Sequence, residues 1–129
     1  MDQELLRAFD VRITSAGYTN RSAALRDIIR DYLVEREWDR ATGEVVGTVT
    51  LVYDHHSREL ESRLIELQHS RHDAVVCSTH VHLDAHHCLE VIVLRGSAEE
   101  VRSMGERLIG TRGVKHGKLT CTTTGRGLA

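Results

Sequence analysis

The chain has 129 residues, 17 Lys and Arg against 19 Asp and Glu, and a 40% hydrophobic fraction. That is enough for one domain or two small ones, and two small ones would lean on oligomerisation. The near-zero balance argues neither for nor against nucleic acid, no apolar run reaches the length of a membrane span, and nothing at the start reads as a signal peptide. Three cysteines, an odd number, without a secretion signal predict free thiols in a reducing cytoplasm.

Residues 4–16 place Leu5, Leu6, Phe9 and Ile13 at helical spacing, and Gly17 stands where a left-handed cap closes a helix. Asn20 or Ser22 caps a second helix whose apolar stripe is Leu25, Ile28, Ile29, Tyr32 and Leu33. Arg21, Arg26 and Arg30 lie off that stripe. Two such helices cannot bury both stripes within one hairpin, so a dimer with a shared four-helix core is expected. The run G-Y-T-N-R-S-A-A-L-R-D-I-I over 17–29 resembles the second half of a ribbon-helix-helix DNA-binding unit. The resemblance implies that the start of the second helix (Asn20, Arg21 and Ser22) grips the DNA backbone, and that a β-ribbon reads the bases. The reading strand should precede the first helix. Here the chain goes from Met1 to Glu4 straight into it, so a start lying further upstream is expected.

After Glu37 the apolar period fades and 39–43 reads as a linker, which divides the chain into a 1–40 helical segment and a 41–129 domain. Val45, Val49, Leu51 and Tyr53 alternate with Thr48, Thr50 and Val52 in a first strand. A helix over 57–70 carries Leu60, Leu64 and Leu67, and strands follow over 74–83 and 87–95. Ser97 to Glu100 form a capping box before a helix with Val101, Met104, Leu108 and Ile109 inward. Gly113 precedes a last strand over 114–121, and 122–129 is expected to be disordered. The order βαββαβ defines an α+β fold: a helical hairpin followed by a ferredoxin-like sheet with helices on one face.

Six of the nine histidines (His69, His72, His80, His82, His86 and His87) and two of the three cysteines, Cys77 and Cys88, fall within 68–90. Imidazole and thiolate are borderline-soft donors suited to late first-row divalent metals. Strand alternation puts Val75, Cys77, Val81 and Leu83 on one face and Val76, Ser78, His80 and His82 on the other. In the next strand Leu89, Val91 and Val93 oppose Cys88, Glu90 and Ile92. A three-residue loop, 84–86, pairs His82 with Cys88 and His80 with Glu90. It is the register that keeps the apolar sets together. Taking the more apolar face as the one under the helices, His80, His82, Cys88 and Glu90 share the open face. His69 ends its helix on the covered side, where its own sheet blocks it. His69 of another subunit then completes the set, which predicts a dimer of dimers. His55, His56, His87 and His116 read as solvated or hydrogen-bonded side chains, Cys77 and Cys121 as small core residues, and His72 and His86 as minor ligands at most. Three imidazoles and a thiolate suit planar Ni(II) or Cu(II), whereas Zn(II) prefers a tetrahedron. The Cys-x-x-Cys and His-x-Glu pairs of zinc deaminases are absent and no nucleophile faces a base, so an enzyme is not expected.

The hairpin motif together with Q-H-x-x-x-D, T-H-V-H-L-D and H-C-L-E-V, over 5–121, resembles the nickel-responsive transcriptional regulators of the NikR type. The resemblance implies a homotetramer holding one Ni(2+) per subunit through His80, His82 and Cys88 of one subunit and His69 of another. Gln68 and Glu90 would orient those ligands by hydrogen bonding. It further implies binding of operator DNA when loaded, with repression of nickel uptake genes. An inter-domain cation site would use Asp27, although Ala23 stands where an acidic ligand is expected. The other expectation is a cytoplasmic nickel-binding protein without DNA affinity, a buffer or a partner of transport proteins.

Overall fold

In the computed structural model, residues 1–40 and 42–129 are described. Helix α1 (Gln3–Ser15) begins where the Asp2 carboxylate accepts the Glu4 N–H at 2.7 Å. It ends as the glycine predicts: Gly17 sits at φ +93°, Tyr18 N–H reaches the Ile13 carbonyl at 3.0 Å, and Gly17 N–H reaches that of Thr14 at 3.1 Å, a Schellman cap. Helix α2 (Arg21–Trp38) is capped by Asn20, not Ser22, through the Ala23 N–H at 2.9 Å. The Arg21 guanidinium binds both oxygens of Asp10 and ties the two helices together. Most of the apolar stripes stay exposed, Leu5, Ile28, Ile29 and Tyr32 among them, and in α1 only Ile13 is buried.

Helix α2 runs up to the expected linker, ending at Trp38. Glu35, Arg36 and Glu37 interrupt the stripe, but Val34 and Trp38, one turn apart, carry it into the core beneath the helices. The 39–43 linker includes Ala41, which lies outside the described residues.

Strand β1 (Val45–Asp54) alternates as expected, burying Val45, Val49, Leu51 and Tyr53. Then come α3 (Arg58–Ser70), β2 (Val75–His82), β3 (His87–Gly96), α4 (Ala98–Ile109) and β4 (Val114–Thr122). The sheet is fully antiparallel in the order β2-β3-β1-β4, the arrangement a split βαββαβ chain adopts. Leu60 and Leu64 of α3 and Val101, Met104 and Leu108 of α4 cover one face, packing on Val49, Leu51, Ile92 and Leu94. Ser57 caps α3 and Ser97 caps α4, each hydroxyl accepting an N–H three residues on. Replacing Ser97 by Ala is expected to cost about 1 kcal/mol, read as a shift of the urea midpoint at constant slope.

Three sequence expectations are corrected. First, the tail is not loose. Residues 123–129 fold back on α2, with the Arg30 guanidinium donating to the Ala129 carbonyl at 2.8 Å, a contact across 99 positions that local pattern does not encode. Second, Cys77 and Cys121 are exposed, because each lies on an edge strand of the sheet. Third, the sheet faces are inverted. Cys88, Glu90, Ile92 and Leu94 are the buried set of β3, and Leu89, Val91 and Val93 are half-buried on the uncovered face. A bulge between Val75 and Cys77 also separates those two residues: Val75 pairs with inward Leu94, Cys77 with outward Val93.

Candidate metal centre

The β2–β3 register is the expected one: His82 is opposite Cys88 and His80 opposite Glu90. β1 lies on the other side of β3 and places Tyr53 opposite Cys88. These side chains gather at the rim of the helix-covered face, where edge strand β2 leaves the cover of α3. Cys88 is 2% exposed and Glu90 1%, while the His80 side chain is 49% exposed.

Glu90 is the best-connected group there. Its carboxylate accepts the Tyr53 hydroxyl at 2.8 Å, the Gln68 side-chain N–H at 3.0 Å and the Ser78 hydroxyl at 2.5 Å. The donors come from β1, α3 and β2, so one buried carboxylate pins three elements. It balances the loss of water by accepting charge-assisted hydrogen bonds. Burial and the bond to Glu90 push the Tyr53 phenol above its ordinary range, keeping it a donor.

Around this carboxylate stand the donors to metal. His80 Nδ1 is 3.8 Å from Cys88 Sγ and 3.3 Å from the Tyr53 hydroxyl, and His80 Nε2 is 3.6 Å from Glu90 Oε2. The neighbouring ligand candidate, His82, lies against His55 with ring centroids 4.7 Å apart and planes at 17°. His55 and His56 are hydrogen-bonded, as expected: both donate an imidazole N–H to the Ala85 carbonyl, at 2.7 and 2.9 Å, and so brace the hairpin loop. Asp84 in that loop accepts the N–H groups of His86 and His87 and faces the His87 ring. The His86 backbone bond, followed by the His87 bonds, holds its carboxyl well below the usual range.

His69 is not gathered in. It is exposed in the last turn of α3, and since Gln68 points at Glu90, the next residue projects about 100° further round the helix. Because α3 lies on the same side of the sheet as Cys88, the sheet does not screen His69; helix rotation turns it away. Among the described residues no three His, Cys, Asp or Glu side chains stand close enough to hold a metal ion. The donors nonetheless fit a borderline-soft divalent metal: a buried thiol beside an imidazole, a second imidazole in register, and a carboxylate network to orient them. Tyr53 and Ser78 escaped the sequence reading as partners of the site. The signal for Tyr53 lay in the βαββαβ order, which sets β1 beside β3.

At the other end of the chain, Asn20 caps α2, Arg21 is paired with Asp10, and Ser22 is exposed in the first turn. Asp27 accepts the Tyr18 hydroxyl at 2.6 Å.

Architecture and donor set together define a helical hairpin joined to a ferredoxin-like metal-binding sheet. Residues 46–122 match the model of the NikR C terminal nickel binding domain. Nickel-responsive regulators from Geobacter sulfurreducens and Geobacter sp. strain M21 are 57% and 56% identical to the chain over 128 residues, covering 99% of this chain and 92% of theirs. One from Nitratidesulfovibrio vulgaris strain DP4 is 53% identical over the same span. The chain belongs to the nickel-responsive regulator family, a family of regulators and not of enzymes. No helix among the described residues is long and apolar enough to cross a membrane.

Proposed function

We propose that this protein is a cytoplasmic nickel sensor that controls transcription. In this reading His80, His82 and Cys88 of one subunit and His69 of another bind one Ni(2+) per subunit in a homotetramer. The loaded form binds operator DNA and represses nickel uptake genes. The observation that carries it is the pairing of His82 with Cys88 and of His80 with Glu90 at the rim of the covered face, with Cys88 buried beside His80. The metal would supply strong coordination to a thiolate and imidazoles. The chain's own part is to hold that thiol dry and to orient His80 through Tyr53 and Glu90.

Assembly is supported by two uncovered apolar surfaces. One is the α1–α2 stripe; the other is the open sheet face, with Val81, Leu89, Val91 and Val93. Each serves one axis of a dimer of dimers. DNA binding is supported by the exposed start of α2, where Asn20, Arg21 and Ser22 stand at a helix N-terminus, the end of a helix that suits a phosphate. Coupling follows from linkage: if nickel favours the arrangement of hairpins that fits an operator, DNA favours nickel binding by the same factor.

The test is the metal content and absorption spectrum of the purified protein, followed by gel retention of promoter DNA with and without nickel. About one nickel per subunit, a thiolate-to-nickel absorption band and nickel-dependent retention are expected. Zinc retained in place of nickel would sink the metal assignment. Nickel binding without retention would leave the metal-binding half and defeat the DNA-binding half.

A further inference from the structure

Helix α2 enters the sheet core through its last turn, and the entry is built in detail. The Trp38 indole is 2% exposed, and its Nε1–H donates to the Thr122 carbonyl of β4 at 2.8 Å. Arg102 of α4 holds it from above, with its guanidinium 5.2 Å from the ring centroid and one N–H on the Trp38 carbonyl at 3.0 Å. That contact satisfies a carbonyl that α2 leaves open at its C-terminus and sets a positive charge against the negative end of its dipole. Below the ring is Gly47 of β1. A Cβ there would stand 3.3 Å from Trp38 Cη2 and 2.9 Å from Val101 Cγ1, so glycine makes the seat.

The same strand leads to the metal centre. Gly47, Val49, Leu51 and Tyr53 all face the helices, and Tyr53 hydrogen-bonds Glu90. Six residue steps of extended strand lead from seat to site, roughly 20 Å of sheet bonded on both sides to β3 and β4.

We propose that Trp38 and Arg102 form the joint through which metal loading at the rim of the sheet restrains α2, and with it the hairpin. This rests on the nickel-sensing function proposed above. Both are positioning residues: neither touches the metal. Binding that quiets the site end of β1 restrains the seat at its other end, and a clamped indole passes that restraint to the helix. Among the described residues, Val34 and the tail are further ties of α2 to the sheet domain that do not use the clamp.

The experiment is amide hydrogen exchange on the full chain, with and without nickel, for wild type, Trp38→Phe, Arg102→Ala and Arg102→Lys. Nickel occupancy is followed by absorption in the same samples. In wild type, nickel is expected to slow exchange in α2 about tenfold alongside β1 and β2. In Trp38→Phe and Arg102→Ala the slowing in β1 and β2 should persist while that in α2 is lost. Arg102→Lys, which keeps the charge over the ring, should restore part of it. Without metal, the same two variants should exchange faster than wild type in α2 and not in β1. Trp38 is the chain's single tryptophan, so a red-shifted emission in Arg102→Ala reads the opened seat directly.

The joint is overturned if nickel leaves α2 of wild type unchanged, or if the variants respond as wild type does. It is also overturned if they lose the response in β1 and β2 together with that in α2, which would make their role general stability. Failure to take up nickel would instead refute the function proposed above, and the metal-free comparison would then decide the joint alone.

Discussion

Glu90→Ala is expected to weaken nickel binding 10- to 100-fold, on the order of other losses of groups that orient metal ligands, and to cost about 3 kcal/mol of stability. Both effects come from one carboxylate. Its removal leaves the Tyr53 hydroxyl, the Gln68 amide and the Ser78 hydroxyl without their acceptor at a position 1% exposed. A buried donor left without a partner costs about 1–3 kcal/mol, and the three here share one space that water can enter in part, which holds the sum near the single-group limit. The affinity loss has a separate origin. His80 is in contact with both Glu90 and Tyr53, so loss of the carboxylate frees the imidazole and the phenol that fix its ring. Glu90→Gln keeps the shape and one acceptor oxygen but sets an NH2 against donors, and should fall between Ala and wild type on both measures. Urea denaturation of the metal-free protein and a nickel titration against a competing chelator read the two effects separately. Unchanged nickel affinity in Glu90→Ala would remove the carboxylate from the site.

The contrast between register and face shows what the sequence could say of this centre. Register is relative: it asks only which residues of β2 and β3 point the same way, and apolar alternation with a three-residue loop answers that. The pairs His82–Cys88 and His80–Glu90 stand as the pattern requires. Face is absolute, and β3 is apolar on both sides. Leu89, Val91 and Val93 outweigh Cys88, Glu90 and Ile92 when Glu90 is counted as polar and the thiol is discounted. The structure reverses this because Glu90 is satisfied by three donors from other strands and a helix, and because a thiol packs as a small apolar group. None of those partners is local in sequence. The same holds for Trp38, whose partners are Thr122, Arg102 and Gly47, and for the tail held by Arg30. Caps at Gly17, Asn20 and Ser97 were legible because each acts within a few residues.

Mixing His69→Ala with His82→Ala subunits is expected to recover about a quarter of the nickel sites, although neither variant alone binds nickel tightly. The expectation rests on where α3 leaves His69. Gln68 is committed to Glu90, so the helical turn carries His69 away from the Cys88 and His80 of its own chain and into the open. A site that takes His80, His82 and Cys88 from one subunit and His69 from another is intact only when the first is the His69→Ala chain and the second the His82→Ala chain. With random exchange each condition holds half the time, which gives the quarter, and every restored site is matched by one doubly broken. If His69 instead swung back to serve its own chain, each variant would be defective by itself and mixing would recover nothing. If it were no ligand at all, His69→Ala would bind like wild type. The nickel–thiolate absorption of the mixture, measured after unfolding and refolding the two variants together, distinguishes the three. Separately refolded proteins, combined only afterwards, give the baseline. A recovery near one quarter would mean that assembly completes the metal site, so that nickel binding and subunit association reinforce each other through His69.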